Sequence, residues 1–246
     1  MQLKFIFKTD SLLYLPLGHH DILQGFIYNK LKNNSKYAAF LHDVGYYDNA
    51  HNFKMFVFST LKGDHHIDNS RIVYTNNLYL EIRSPMDEFC NILLHSIQDN
   101  SSAELNNQPI HLYDWCISDK QIHTTSIDIK MASPLTLSTT YYKNDKKKTR
   151  YLSPSDNDFN CAFIHNTKSK YKAFYKKDLS SDLQLSPINV GLKDKYVTKF
   201  KNHIFINAWN GTYRLDGDSS LLSFLYDTGI GSRNSQGFGM FDIVEK

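Results

Sequence analysis

Cysteine is scarce in this sequence of 246 residues. The three cysteines, Cys90, Cys116 and Cys161, are widely spaced, and no two of them form a C-x-x-C pair. An odd number of separated thiols argues against a disulfide scaffold and against a cysteine-based zinc site. It favours a reducing cytoplasm as the location.

Long apolar runs are also missing. A membrane-spanning helix needs about 18 or more consecutive apolar residues, and the sequence contains no such run. The first ten residues lack the apolar stretch of a secretory leader and are predicted to form a strand. Hydrophobic residues still make up 41% of the chain, which is enough for a core in one large domain or in two of about 120 residues.

Common cofactor and metal motifs are absent as well. The sequence has no glycine-rich dinucleotide fingerprint placed between a strand and a helix, and no Gly-Lys-Ser/Thr phosphate loop. No Ser-His-Asp order or pair of carboxylates has a supporting context. The adjacent His65 and His66, followed by Asp68, are interpreted as an exposed turn because neighbouring histidines rarely converge on one ion. We therefore expect neither a metal nor a cofactor.

Charge is unevenly distributed along the chain. Residues 1–119 hold nine basic and thirteen acidic side chains, a net charge of −4, whereas residues 120–246 hold nineteen and twelve, a net charge of +7. The excess is concentrated in residues 143–177, which contain ten lysines and arginines, three acidic residues and interleaved aromatic residues. Such a pattern suits a phosphate backbone with unstacked bases, although a solvated hairpin tip and helix face would look the same.

The order of predicted elements occurs twice. The first half predicts a strand at 2–8, a helix at 20–33, strands at 53–60 and 71–82, a helix after Ser84-Pro85 and a strand at 110–117. The second half predicts a strand at 126–138 continued through a lysine-tipped hairpin to 152, a helix at 155–177, strands at 186–198 and 202–214, a helix capped by Asp218 and a strand at 238–244. Each half has the order β-α-β-β-α-β, so we predict an α+β fold of two tandem ferredoxin-like (RRM-like) domains, 1–119 and 123–246.

A glycine-rich loop is the most informative segment. Two Gly-x-Gly pairs, Gly229 with Gly231 and Gly237 with Gly239, enclose five residues between the last helix and the last strand. Glycines permit positive φ and close approach of another backbone, and Arg233 adds a bidentate donor for phosphate. Helix ends and turns also collect glycines, so the loop by itself does not establish a binding role.

With this loop on a tandem ferredoxin-like chain, the sequence resembles the CRISPR repeat-processing endoribonucleases of the repeat-associated mystery protein superfamily. Further segments carry the resemblance in order and spacing: Leu15-Pro16-Leu17, Leu23-Gln24-Gly25-Phe26-Ile27-Tyr28, Phe40-Leu41-His42-Asp43, Phe53-Lys54-Met55-Phe56-Val57-Phe58-Ser59 and Ser133-Pro134-Leu135. Together these segments extend the resemblance over almost the whole chain.

The resemblance implies metal-independent cleavage of precursor CRISPR RNA within its repeats. In such enzymes the ribose 2′-hydroxyl attacks the neighbouring phosphate, which leaves a 2′,3′-cyclic phosphate and a 5′-hydroxyl and yields guide RNAs. His42 is then the expected acid or base, Lys54 the group that stabilises charge, and Tyr28 the group that orients or deprotonates the 2′-hydroxyl. Because members of the family differ in their catalytic set, it stays open whether His19, His20 or His51 replaces or assists His42.

The resemblance also implies where the repeat RNA binds. The expected RNA-binding residues are Gly229, Gly231, Arg233, Asn234, Ser235, Gln236, Gly237 and Gly239 of the loop, together with Lys146, Lys147 and Lys148 of the hairpin. A second copy of the chain, as a homodimer, and a CRISPR effector complex that receives the guide RNA are further candidate partners, and no membrane partner is expected. Two alternatives stay open, a non-catalytic RNA-binding subunit of a CRISPR ribonucleoprotein and a ferredoxin-like sensor of small molecules.

Overall fold

The structure is a computed structural model that describes residues 1–32, 35–48, 51–99, 102–200 and 204–244. Within these ranges it describes every side chain except those of residues 35, 36, 42, 102 and 204. Among the described residues, no helix combines the length and the apolar character that a bilayer crossing requires.

The first sheet has the ferredoxin-like strand order. The elements are β1 Gln2–Lys8, β2 Leu13–Pro16, α1 His20–Leu31, α2 Ser35–Ala39 with a π-helical turn Phe40–Val44, β3 Tyr46–Asp48, β4 His51–Phe53, β5 Val57–Phe58, β6 Lys62–Asp68, β7 Arg71–Arg83, α3 Asp87–Asp99, β8 Ser102–Leu105 and β9 Gln108–Ser118. Strand β1 lies between β7 and β9, and β6 pairs with the outer edge of β7, all antiparallel. Strands β2, β5 and β8 extend this sheet, while β3 and β4 form a separate hairpin.

Alternation of side chains explains why these segments form a sheet covered on one face. In β1, Leu3, Phe5 and Phe7 are buried at every second position. They belong to the same apolar core as the stripe of α1, which includes Leu23 and Ile27. The helix predicted at 20–33 is observed as α1, His20–Leu31, with residue 33 outside the described residues, and the strand predicted at 71–82 is confirmed as β7.

The second sheet repeats this topology. Its elements are β10 Ser126–Met131, β11 Ser138–Lys143, β12 Lys146–Tyr151, α4 Phe159–Tyr175, β13 Gln184–Asn189, β14 Lys195–Phe200, β15 Ile204–Trp209, β16 Thr212–Asp216, α5 Ser219–Thr228 and β17 Phe241–Ile243. The sheet order is β13-β16-β10-β17, and two hairpins, β11–β12 and β14–β15, are inserted into it. The predicted class of tandem ferredoxin-like α+β units is confirmed. The boundary that we place at residues 119–123 falls in the segment between β9 and β10.

Several predicted strands differ from the observed ones. The segments predicted at 186–198 and 202–214 are four strands, because a 3₁₀ turn at Leu192–Asp194 ends β13 and a turn at Gly211, with φ of +107°, separates β15 from β16. The segment predicted at 53–60 is interrupted at Met55, whose φ of +53° takes the backbone out of the extended region. The strand predicted at 238–244 is shortened to β17, since Phe238 and Met240 belong to the preceding loop.

Arg83 joins the two halves at the end of β7. Its side chain is fully buried, and it donates hydrogen bonds to Glu81 within the first sheet, to the carbonyl oxygen of Phe241 at 2.6 Å and to Asp242 at 2.8 Å. The guanidinium carbon lies 3.8 Å from the ring centroid of Tyr226 in α5. A buried arginine with this set of partners fixes the edge of one sheet against β17 of the other.

Candidate active site

The glycine loop is held by side chains from both halves of the chain. From α1, Gln24 donates a hydrogen bond to the carbonyl oxygen of Ser235 at 2.8 Å. From α4, the Nζ of Lys170 donates to the carbonyl oxygen of Gly229 at 2.6 Å and to Oδ1 of Asn234 at 2.8 Å. The amide of Asn234 in turn donates to the carbonyl oxygens of Ile230 and Phe238, each at 3.0 Å, which closes the loop on itself.

Two of the loop glycines pack too closely for any side chain. Gly237 and Gly239 have φ values of +83° and +82°. A Cβ atom on Gly239 would lie 1.9 Å from the carbonyl oxygen of Ile230, and one on Gly237 would lie 2.6 Å from the ring of Phe58 and 2.7 Å from Nδ1 of His20. Glycine is thus required at position 239 by close packing within the loop, and at position 237 by close packing against the first half of the chain.

Beside the loop lies a cleft of about 370 Å³. Tyr28 and Gln24 of α1, Lys54 after β4 and Lys170 of α4 line it together with the loop. The loop residues that line the cleft are Gly231, Ser232, Arg233, Asn234, Ser235 and Gln236, whereas Gly229, Gly237 and Gly239 are buried in packing contacts. Lys146, Lys147 and Lys148 are exposed on β12.

Tyr28 and Lys54, the two members of the predicted catalytic set whose side chains are described, both line this cleft. Tyr28 is half-buried with its ring 6.0 Å from that of Phe56, and burial raises its pKa to about 12. The phenol therefore stays protonated near neutral pH and can donate a hydrogen bond, which disfavours the role of base considered for it. Burial also lowers the pKa of Lys54, and the carboxylate of Asp43 acts in the opposite direction.

His42 belongs to the π-helical turn Phe40–Val44, and its side chain lies outside the described part of the structure. The backbone of this turn packs beside Lys54. Gly45 ends the turn with φ of +62°, and a Cβ atom there would lie 3.2 Å from Cδ of Lys54 and 2.8 Å from the carbonyl oxygen of Phe53. The turn that carries His42 thus adjoins the residues of the cleft.

The alternative histidines occupy different surroundings. His51 is exposed and lines the cleft next to Lys54. His20 is buried. Its ring stacks on Phe238 with centroids 4.6 Å apart, its Nε2 lies 3.1 Å from the hydroxyl of Tyr196, and burial lowers its pKa to about 4. His19 is half-buried, with Nδ1 3.0 Å from the carbonyl oxygen of Pro16. Of these three alternatives, His51 is the one that lines the cleft.

Lys170 is a site residue that the sequence does not single out. It belongs to the basic segment 143–177, for which the sequence leaves open a phosphate-binding surface or a solvated helix face, but its side chain is 1% exposed. The signal was present in the sequence, since Phe159, Phe163, Thr167 and Lys170 follow helical spacing and lie on the buried side of α4. A lysine on that stripe points into the protein, where its ammonium group donates two hydrogen bonds to the glycine loop.

The charge of the cleft indicates what it can bind. The basic side chains of Lys54, Lys170 and Arg233 surround one small space with the phenol of Tyr28. Burial lowers the pKa of Lys170 to about 7, because the loss of contact with water penalises its charged form. In the described part of the chain, no group of three or more His, Cys, Asp or Glu side chains has the arrangement of a metal site. A phosphate group is the anion that such an arrangement of donors suits.

Comparison with known structures assigns the class. A structure described as "CRISPR associated protein Cas6" superimposes with a TM-score of 0.82 at 26% identity, covering 100% of this chain and 99% of that one. A Cas6-related protein from Pyrococcus furiosus has the same fold, with a TM-score of 0.86 at 18% identity and the same coverage. The two ferredoxin-like units of this chain thus have the fold of CRISPR-associated Cas6 proteins.

Comparison of sequences then identifies the family. The family model "CRISPR associated protein Cas6, C-terminal" matches residues 117–243, and the chain belongs to the Cas6 family. It is 28% identical over 248 residues to CRISPR-associated endoribonuclease Cas6 1 of Methanocaldococcus jannaschii, covering 100% of this chain and 93% of that protein. It is 22% identical to CRISPR-associated endoribonuclease Cas6 of Pyrococcus furiosus, covering 95% of this chain and 85% of that protein.

Proposed function

We propose that this chain is a metal-independent endoribonuclease that binds CRISPR repeat RNA and cleaves the precursor transcript within its repeats. The observation that carries the proposal is the cleft in which Tyr28, Lys54 and the glycine loop converge, in a chain of the Cas6 family. The names of its relatives in Methanocaldococcus jannaschii and Pyrococcus furiosus support the endoribonuclease activity.

In the proposed reaction the ribose 2′-oxygen attacks the adjacent phosphorus while its proton passes to a base. The P–O5′ bond breaks, the 5′-oxygen takes a proton from an acid, and the products carry a 2′,3′-cyclic phosphate and a 5′-hydroxyl. Lys54 and Arg233 stabilise the negative charge of the phosphorane. Tyr28 donates a hydrogen bond that orients the 2′-hydroxyl or a phosphate oxygen, since its pKa of about 12 keeps the phenol protonated.

His42 is the proposed acid or base, and His51 is the alternative. The main-chain turn of His42 adjoins Lys54, and His51 lines the same cleft. An imidazole suits either role because it titrates near neutral pH. We assign these catalytic residues to a domain of residues 1–119, and the glycine loop with the basic hairpin to a domain of residues 123–246.

The proposal also covers the RNA contacts, the location and the partners of the enzyme. The RNA contacts are assigned to Arg233, Asn234, Ser235 and Gln236 and to Lys146, Lys147 and Lys148. A cytoplasmic location, transfer of the guide RNA to a CRISPR effector complex and a homodimer are also proposed. A non-catalytic RNA-binding subunit is the second candidate, since a repeat-associated mystery protein described as binding different RNA substrates has the same fold, with a TM-score of 0.85 at 16% identity and full coverage of both chains.

The test is cleavage of labelled repeat RNA in excess EDTA. A parallel substrate carries a 2′-deoxy nucleotide immediately upstream of the cut. We expect cleavage of the first RNA alone, and at least a tenfold lower single-turnover rate for His42→Ala and Tyr28→Phe with RNA affinity nearly unchanged. His51→Ala is the matched control on the same cleft. Binding without cleavage would favour the non-catalytic subunit, and a large loss in His51→Ala alone would transfer the acid–base role to His51.

A further inference from the structure

Arg233 holds an unusual backbone conformation in the glycine loop. Its φ of +63° and ψ of +30° lie in the left-handed region, which is sterically unfavourable for a residue that carries a side chain. Such a conformation costs of order 1–3 kcal/mol and persists only where the surrounding structure fixes it. Because Arg233 lines the cleft, the contacts that fix this backbone also determine where its guanidinium group lies.

The two residues that follow Arg233 are anchored to opposite halves of the chain. The side chain of Gln24 in α1 donates a hydrogen bond to the carbonyl oxygen of Ser235. The ammonium group of Lys170 in α4 donates to Oδ1 of Asn234. Both anchors lie within two residues of Arg233, so they restrain the backbone where it takes up the left-handed conformation.

Asn234 connects Lys170 to the rest of the loop. Its amide nitrogen donates to the carbonyl oxygens of Ile230 and Phe238. Both N–H groups of this amide are thus used within the loop, and its Oδ1 accepts from Lys170. The second hydrogen bond of Lys170, to the carbonyl oxygen of Gly229, holds the beginning of the same loop. One ammonium group therefore fixes the loop at two points.

Lys170 is too deeply buried to bind RNA itself. It forms part of the cleft wall, but its side chain is 1% exposed. Its influence on a bound phosphate must therefore pass through a group that reaches the cleft. Arg233 is the cation next to Asn234 in the chain, it is half-buried, and its charge is of the sign that stabilises a phosphorane.

We propose that Lys170 is a positioning residue for the proposed cleavage, which holds the loop through Asn234 so that the guanidinium group of Arg233 stays in the cleft. The inference deepens the proposed function and rests on it. Lys170 touches neither the RNA nor the reacting atoms in this arrangement. Its effect on the reaction should therefore disappear when the guanidinium group is removed.

A double-mutant cycle measures this dependence. Single-turnover cleavage of repeat RNA is compared for the wild type, Lys170→Met, Arg233→Ala and the double variant, and affinity is measured with a repeat that carries a 2′-deoxy nucleotide upstream of the cut. Each protein is assayed under conditions in which its urea unfolding curve shows the folded state. The control for lost stability is Ile110→Val, a change of a buried side chain in β9 that does not line the cleft. If Lys170→Met does not fold, the same cycle uses Lys170→Gln, which keeps N–H donors.

We expect Lys170→Met to lower the cleavage rate by a factor of about 10–100 while RNA affinity changes little, because a displaced cation costs mainly stabilisation of the transition state. In the Arg233→Ala background, the same change should lower the rate by less than about threefold. Ile110→Val should keep the wild-type rate.

An equal loss of rate in both backgrounds would overturn the inference, because Lys170 would then act without Arg233. A wild-type rate in Lys170→Met or in Arg233→Ala would overturn it as well. If the wild type itself cleaves none of several repeat RNAs, the proposed function fails, and the inference with it.

Discussion

A single buried cation links the second half of the chain to its glycine loop. Lys170 donates to Gly229 and Asn234, and its side chain is 1% exposed. Without its ammonium group, the carbonyl oxygen of Gly229 and Oδ1 of Asn234 would lose a donor, which costs about 1–3 kcal/mol for each buried group left unpaired. The charged form is itself destabilised by burial, so the two effects oppose each other.

The pH dependence of unfolding separates these effects. Burial lowers the pKa of Lys170 to about 7 from the usual 10.5, so between these values the unfolded chain binds more protons than the folded one. The free energy of unfolding of the wild type should therefore rise with pH relative to Lys170→Met, by up to about 1.4 kcal/mol per pH unit between pH 7 and 10. At pH 7 we expect Lys170→Met to be the less stable by about 1–3 kcal/mol.

Urea titrations at several pH values measure this difference. Lys168→Met, an exposed position on the same helix, is the control and should follow the wild type at each pH. Parallel stability curves for wild type and Lys170→Met would show that Lys170 titrates normally in the folded protein.

Among the elements, regular helices and strands could be predicted from the sequence and the loops could not. The apolar stripe of α1 and the alternation in β7 follow directly from residue type. The break of the segment 53–60 at Met55 could not be predicted, because a positive φ at a non-glycine residue is imposed by its surroundings. The split into β13 and β14 depends on Asp194, whose carboxylate accepts from the backbone N–H of Gly191 at 2.9 Å and so stabilises a 3₁₀ turn.

The candidate site shows the same contrast between features that local sequence predicts and features that depend on packing. The sequence predicted Tyr28, Lys54 and Arg233 from the resemblance, and these residues share one cleft. It did not predict the hydrogen bonds of Gln24 and Lys170 to the loop, since both depend on how α1 and α4 approach the loop. Long-range packing of this kind leaves a weak trace in local sequence.

Two glycines close to the site should respond to alanine in opposite directions. In the loop, Gly239 has φ of +82°, and an added Cβ would collide with the carbonyl oxygen of Ile230 at 1.9 Å. In α1, Gly25 is exposed and an added Cβ would meet no atom within 4 Å. We expect Gly239→Ala to lose at least about 3 kcal/mol of stability, and Gly25→Ala to gain about 0.5–1 kcal/mol because alanine favours a helix.

Thermal and urea unfolding of the two variants give the answer in one experiment. Gly25→Ala serves as the control for the effect of an added methyl group, since it adds the same group at an uncrowded position in a helix. A Gly239→Ala protein as stable as the wild type would mean that the loop can move away from Ile230.

Across the whole molecule, charge and aromatic side chains favour one route for RNA. Next to the cleft lies a second cavity of about 600 Å³, which shares His51 and Asn166 with it. The root of the β11–β12 hairpin borders this second cavity through Thr139 and Thr140. Towards the tip, the exposed Tyr141 and Tyr142 pair across the strands with Lys148 and Lys147. A strand that leaves the cleft through the second cavity would thus reach a surface with cations for phosphates and rings for bases.

Salt dependence measures whether phosphates contact this hairpin. Each phosphate neutralised on a single strand contributes about −0.7 to the slope of log K against log salt concentration, so replacing Lys146, Lys147 and Lys148 by alanine should reduce the slope by up to about 2. The matched control removes three lysines from the other inserted hairpin and the 3₁₀ turn before it, Lys193, Lys195 and Lys199, and so makes the same change in net charge. If the effect is local to the phosphate path, the control keeps the wild-type slope. Equal losses in both variants would instead mean that the basic half of the molecule acts through its overall field, and an unchanged slope in the first variant would remove the β11–β12 hairpin from the RNA path.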